Sequence, residues 1–373
     1  MSKAKGLVVS GGLAALAAGW MLSPLVFAAA PGVANADAHA GVETPDVRGR
    51  IIQLLETEAL YRDRVDWAAA RQRLRAAGST EEADSILDQL IARSTANHGR
   101  WIRASAMSTP SGRLQRTAQA SQLRRPATQA GTGGPAAHRS RQSDPIGWVS
   151  IPTFKEDSAA APEVRHQQQL TFAQQLQSQL RAEDQRSLCG WIVDLRANQG
   201  GNMWPMLLGV APLLSTQPDG KEVIGAFKAE RAQQDWTLES GRLLVNGRPR
   251  MGLAAAPYVL RHPAPAVAVL FGADTASSGE MVALAFRGRH AARSFGQHTA
   301  GLSTGNTPVR LADGSMLLLT ASVSVDRNLI GNGEKLVPDV VVSDPADAEA
   351  AARVWLMEQP ACQGVAMVPK MSR

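Results

Sequence analysis

Two turns rich in glycine and serine carry most of the chemistry this sequence can offer. The first is Asn198-Gln199-Gly200-Gly201, directly behind the apolar run Gly190–Leu195. Paired glycines let backbone N–H groups face a ligand with no side chain in the way, and such donors can hold an oxyanion. The second is Thr275-Ala276-Ser277-Ser278-Gly279-Glu280, behind the run Ala266–Phe271. A serine at a helix start is exposed where negative charge is stabilised, which suits a nucleophile. It suits a simple helix cap equally well, and spacing leaves both roles open for Ser277 and Ser278. A third string, Gly301-Leu302-Ser303-Thr304-Gly305, matches the G-x-S-x-G elbow. That motif needs a helix after it. Asn306–Arg310 reads as extended and leads to an Asp313-Gly314 turn, so Ser303 is set aside.

The elements around these turns follow from periodicity. Asp46–Arg100 reads as helical, with Ile51, Ile52, Leu54, Leu55 and Leu60 on one stripe. Ser79 with Glu82 three residues on is a capping box for a third helix, and His98 follows in the loop Thr95–Gly99. From Ile146 strands and helices alternate. Ile146–Thr153, Gly190–Leu195, Ala266–Phe271 and Met316–Ser324 read as strands. Val223–Phe227 and Trp236–Val245 read as strands around a hairpin. Pro162–Leu180, Met203–Leu214, Met281–Arg287 and Ala346–Met357 read as helices. Repeated strand–turn–helix units predict an α/β core. In such sheets ligands gather beyond the carboxyl ends of strands, where both turns lie.

Composition narrows the function classes. The chain has 373 residues, 44% hydrophobic and 19% charged, ample for a packed core. Two cysteines exclude a disulfide-rich scaffold and a four-cysteine zinc site. Cys189 and Cys362 read either as a disulfide pair or as two unrelated buried thiols. The net charge of +6 raises the question of a polyanionic partner. Much of that excess lies outside the organised segments. Lys3 and Lys5 precede an uncharged run, Gly6 to about Pro31, and small residues cluster at Ala28-Ala29-Ala30 and Ala34-Asn35-Ala36. This is the pattern of an export signal. Two forms stand, a cleaved signal and an uncleaved anchor associating with the membrane through residues 1–30. No cysteine is there to carry a lipid. Residues 105–145 form a basic, low-complexity linker with Arg113, Arg116, Arg124, Arg125, Arg139 and Arg141. No aromatic is interleaved for base stacking, so nucleic acid is not the expected partner.

Taken together, six ordered blocks resemble the C-terminal-processing (tail-specific) family of serine peptidases. They are Ile146–Phe154, Asp194–Gly201, Thr275–Glu280, Thr299-Ala300-Gly301, Asp313-Gly314-Ser315 and Val337-Pro338-Asp339. The resemblance implies a crotonase-like α/β core. It places the nucleophile on Ser277 and the oxyanion donors on the backbone N–H groups of Ser278 and Gly201. Many members use a lysine base after the Thr-x-Gly block, but Leu302 stands there. The branch similar to the tricorn core and the interphotoreceptor retinoid-binding modules uses histidine instead. Its loop after the N-terminal helices matches Asn97-His98-Gly99, which makes His98 the candidate base and His298 the rival. In that branch a glutamate orients the histidine, and the matching region offers Glu334, with Asp339 behind it.

The stretch between His98 and Ile146 is too short for the PDZ domain found in many tail-specific proteases. The expected layout is a signal or anchor over 1–40, a small helical cap over 45–104, a linker over 105–145 and a peptidase core over 146–360. The expected activity is peptide-bond hydrolysis by an exported, periplasmic or secreted, serine endopeptidase acting on polypeptides without metal or cofactor. The alternative is a catalytically inactive module that holds a peptide or small ligand on the same fold.

Overall fold

The computed structural model describes residues 46–108, 144–157, 160–217 and 220–366. The expected signal or anchor over 1–40 and most of the expected linker fall outside the described residues.

The chain begins with helices Val47–Glu58, Trp67–Ala76 and Thr80–Ser94. Each starts on a side chain that accepts an otherwise unpaired N–H: Asp46 from Gly49, Asp66 from Ala69, Ser79 from Glu82. Ile51, Leu55, Leu87, Leu90 and Ile91 form their common core. The helices do not pack only on one another. The same cluster takes in Trp101, Leu311, Leu317 and Leu319, which arrive from sheet strands. The short strand β1 (Arg100–Ile102), which follows the His98 loop, is what joins them.

The central layer is a parallel sheet. Its strands are β2 (Ile146–Ser150), β3 (Gly190–Asp194), β8 (Ala266–Phe271), β9 (Ala292–Gly296) and β12 (Val340–Val341), in the order β12-β9-β8-β3-β2. Both faces of this sheet are covered at its centre, so β3 and β8 are buried throughout and almost wholly apolar. Trp191 and Val193 face the core built with helices Pro162–Glu183, Met203–Gly209 and Ser278–Phe286. Ile192, Ala268 and Leu270 face helix Asp347–Met357. Cys189, just before β3, is disulfide-bonded to Cys362, with 4.8 Å between Cα atoms.

The second sheet is antiparallel. It contains β4 (Lys221–Lys228), β5 (Gln233–Glu239), β6 (Arg242–Val245), β7 (Arg248–Met251), β10 (Thr304–Arg310) and β11 (Met316–Val325), with β1 at one edge. The segment Trp236–Val245, expected as one strand, is two. The chain reverses at Ser240-Gly241 and again at Asn246-Gly247, with positive φ at all four residues. Turns of that type match the twist of the flanking strands. The expected helix Met203–Leu214 likewise breaks at Val210 into Met203–Gly209 and Ala211–Leu214.

Among the described residues no helix is long and apolar enough to cross a membrane, and no cluster of His, Cys, Asp or Glu could hold a metal ion.

Candidate active site

β3 and β8 are hydrogen-bonded neighbours, with Asp194 opposite Leu270. The turns that follow them therefore emerge side by side. Leu195 N–H bonds the Leu270 carbonyl, Ala276 N–H bonds the Asn198 carbonyl, and the Thr275 hydroxyl donates to the Leu195 carbonyl. Asn198 is fully buried at this junction. Its amide donates to the carbonyls of Ile151 and Pro152, and its Oδ1 accepts from Gly200 N–H.

Close approach explains the glycines. A Cβ on Gly200 would lie 2.9 Å from the Ala276 carbonyl oxygen and 2.9 Å from Ser277 Cβ. A Cβ on Gly201 would overlap the Phe154 carbonyl, against which Asn202 N–H is bonded. Ser278 Oγ donates to the Gly201 carbonyl at 2.6 Å and clamps the two turns together. The Gly200 N–H is consumed by Asn198, whereas the N–H groups of Gly201 and Ser278 find no acceptor among the described residues. Two such donors beside a serine can stabilise a developing oxyanion.

Ser277 precedes helix Ser278–Phe286 with φ 51° and ψ −119°. A non-glycine residue in this region is strained, and its surroundings must hold it there. Glu280 supplies much of that restraint. Its fully buried carboxylate accepts from Ser277 N–H, the Thr299 hydroxyl, Gly301 N–H and Leu302 N–H. Burial raises the Glu280 pKa, although these hydrogen bonds oppose the rise. The Thr299–Gly301 block thus serves as a strut under the nucleophile turn.

His98 reaches Ser277 from the N-terminal helices. Its Nε2 lies 2.9 Å from Ser277 Oγ and its Nδ1 lies 2.5 Å from Thr304 Oγ1. The His98 loop leaves helix Thr80–Ser94 through Ala96 and Asn97, both with positive φ. His98 N–H bonds the Thr95 carbonyl, and Asn306 Nδ2 donates to the His98 carbonyl. Burial, with the nearby charge of Arg100 adding to it, pushes the His98 pKa from 6.5 down to about 4. The ring is neutral at pH 7, so one nitrogen can accept while the other donates. With Nδ1–H donated to Thr304, Nε2 is free to take the Ser277 proton.

Neither acid expected to orient the histidine is bonded to its ring. The Glu334 side chain is exposed and accepts from Asn332, two residues away. Asp339 accepts from the backbone and hydroxyl of Ser294 and ties β12 to β9. Thr304, 2% exposed, occupies the place by His98 Nδ1. Its local signal was slight: it is the fourth residue of the discarded Gly301–Gly305 string. Ser303 in that string is buried and donates to the Glu334 carbonyl, and a strand follows, not a helix. His298 is exposed. The Lys335 stem packs on Gly301, and no bond joins its amine to Ser277. Trp148 is 8% exposed and packs under the sheet, while Trp204, next to the oxyanion turn, is half-buried.

Residues 145–342, more than half of the chain, match the family model described as Peptidase family S41. The Nisin-resistance protein of Lactococcus lactis subsp. lactis is 31% identical over 216 residues, which cover 57% of this chain and 60% of that protein. The aligned part of this chain thus spans about three fifths of that relative's length. The structure of a lipoprotein from Streptococcus agalactiae superposes with a TM-score of 0.61 at 22% identity, covering 86% of this chain and 99% of that one. The photosystem II D1 C-terminal processing protease superposes with a TM-score of 0.51 at 14% identity, covering 85% and 97%.

Proposed function

The chain belongs to peptidase family S41, and from that premise we propose that it is an exported serine endopeptidase with a crotonase-like core and a small helical cap. The observation that carries the proposal is the contact of 2.9 Å between His98 Nε2 and Ser277 Oγ. A serine hydroxyl is a weak nucleophile until a base takes its proton. In the proposed reaction neutral His98 removes the Ser277 proton as Oγ attacks a peptide carbonyl. The imidazolium keeps its Nδ1–H bond to Thr304. The oxyanion is held by the N–H groups of Gly201 and Ser278. His98 then returns a proton to the leaving amine, and water hydrolyses the acyl-enzyme by the same route in reverse.

Export is supported by the signal-like pattern of residues 1–40 and by the Cys189–Cys362 disulfide, since such bonds persist in oxidising compartments. The named relative also makes nisin a first peptide to assay.

Labelling by a fluorophosphonate probe tests the proposal. The wild type should be labelled, and Ser277→Ala should not. A wild type that is folded and unlabelled, or a Ser277→Ala variant labelled to the same extent, would sink it, the first of these outcomes favouring a ligand-binding module on the same fold.

A further inference from the structure

Arg250 stands out among the cations near the site because its guanidinium donates to no acceptor among the described residues. It lies on the edge strand β7, where the ladder to β6 slips: Leu244 pairs with Pro249 and Leu243 with Met251, which leaves Arg250 as the extra residue of a bulge. Bulges re-aim side chains and are common beside active sites. Here the guanidinium is carried over the ring of Trp204, 5.2 Å from its centroid. Burial lowers the Arg250 pKa, and the charge of Glu156 opposes the shift. Glu156 itself is engaged, accepting from Asn202 and Gln169. A half-buried guanidinium with no protein acceptor is an unusual arrangement, since such groups are ordinarily paired.

Its position links it to the chemistry. Trp204 follows Gly201 by three residues, and its N–H is fixed by Asn202 Oδ1. An aromatic row continues from it: Trp204 meets Trp236 edge-on at 6.3 Å, and Trp236 meets Phe227 edge-on at 4.7 Å. Phe227 in turn packs against Gly305, the neighbour of Thr304. The row therefore runs from the oxyanion turn to the group that orients His98. Trp204 and Phe227 are half-buried, with Trp236 fully buried between them.

We propose that Arg250, seated on Trp204, is the specificity residue that receives a carboxylate of the peptide substrate. A planar guanidinium can pair with a carboxylate through two parallel hydrogen bonds while resting on an aromatic face. The carboxylate comes from an acidic side chain near the scissile bond or from the substrate's C-terminus. The inference rests on the proposed peptidase site.

The test separates both sources and stands apart from hydrolysis. Ser277→Ala protein is titrated by calorimetry with decapeptides that carry Glu, Gln or Lys at one position, each with a free or an amidated C-terminus. A charge-assisted pair at this site should make one carboxylate-bearing form bind about 10-fold tighter than its uncharged counterpart. Preference for Glu over Gln assigns the side chain; preference for the free terminus over the amide assigns the chain end. Adding Arg250→Glu should abolish or reverse that preference, and Arg250→Lys should retain part of it. In the wild-type Ser277 background, Arg250→Glu should raise KM for the preferred carboxylate-bearing peptide more than it lowers kcat. Equal binding of the charged and uncharged forms, or a preference untouched by Arg250→Glu, overturns the assignment. Loss of probe labelling in the unmodified protein would instead count against the peptidase proposal while the binding result still decides Arg250.

Discussion

Thr304 Oγ1 lies 2.5 Å from His98 Nδ1, so the group that fixes the imidazole is a hydroxyl and not a carboxylate. A hydroxyl can accept the Nδ1–H bond and fix the tautomer, as an acid would. It cannot add a full negative charge to stabilise the imidazolium. Thr304→Val should therefore lower kcat by about 10- to 100-fold, with KM little changed, by freeing the ring. Thr304→Ser should keep most of the activity. Equal kcat in Thr304→Val and wild type, measured on one peptide, would remove Thr304 from the mechanism.

Protonation of His98 sets the acid limb. Its pKa in the folded protein is about 4, below the ordinary 6.5. The base is therefore already neutral at pH 5.5, and kcat/KM should fall only as the pH drops through about 4. Stability behaves differently. The unfolded chain takes up the proton first, so this residue weakens the fold progressively as pH falls from about 6.5 to about 4. A pH–rate profile with its acid limb near 6.5 would refute the depressed pKa.

Strain at Ser277 predicts a trade between activity and stability. Glycine adopts the observed φ of 51° without the strain that Ser277 bears. Ser277→Gly should abolish hydrolysis and raise unfolding stability by about 1 kcal/mol, read from denaturant midpoints. A destabilised variant would mean that the surrounding contacts outweigh the strain.

Glu280 carries four hydrogen bonds under the nucleophile. An amide has one accepting oxygen where the carboxylate has two. Glu280→Gln must turn an NH2 group toward a donor and leave buried N–H groups unmet. The expected result is a loss of about 1–3 kcal/mol in stability together with loss of probe labelling. Normal labelling at wild-type rate would show that the turn holds itself.

The disulfide closes a loop with a sequence separation of 173 residues. Replacing both cysteines by serine should lower stability by about 2–5 kcal/mol. Activity at low temperature should survive, because Cys189 sits at the amino end of β3 and the site beyond its carboxyl end. An unchanged thermal midpoint would contradict this.

What the sequence made legible was local. Ser277 and the paired glycines stand in short strings after apolar strands, and a turn between strand and helix carries its own signal. His98 could be named only through resemblance, since nothing in Thr95–Gly99 says that the loop folds back over a strand far along the chain. Thr304 was missed for a related reason. Its role depends on β10 pairing with β11, which also supports the helices that deliver His98. Glu334 stood nearest the Pro338-Asp339 block to which the resemblance pointed, but its side chain turns back to Asn332. The β4–β7 meander was half legible, because the Ser240-Gly241 turn lies inside Trp236–Val245, which reads as one continuous strand.

The hydroxyl at position 304 has one more consequence. In the resting site Ser277, His98 and Thr304 carry no net charge among them. Proton transfer would create an imidazolium and an oxyanion at once, as a contact zwitterion whose halves neutralise each other. Among the described residues no carboxylate is bonded to the ring, so the oxyanion is the charge that balances the imidazolium. Such a reacting centre presents almost no net field to its surroundings. Its chemical step should be nearly indifferent to ionic strength, even though capture of a charged substrate at Arg250 would be screened by salt.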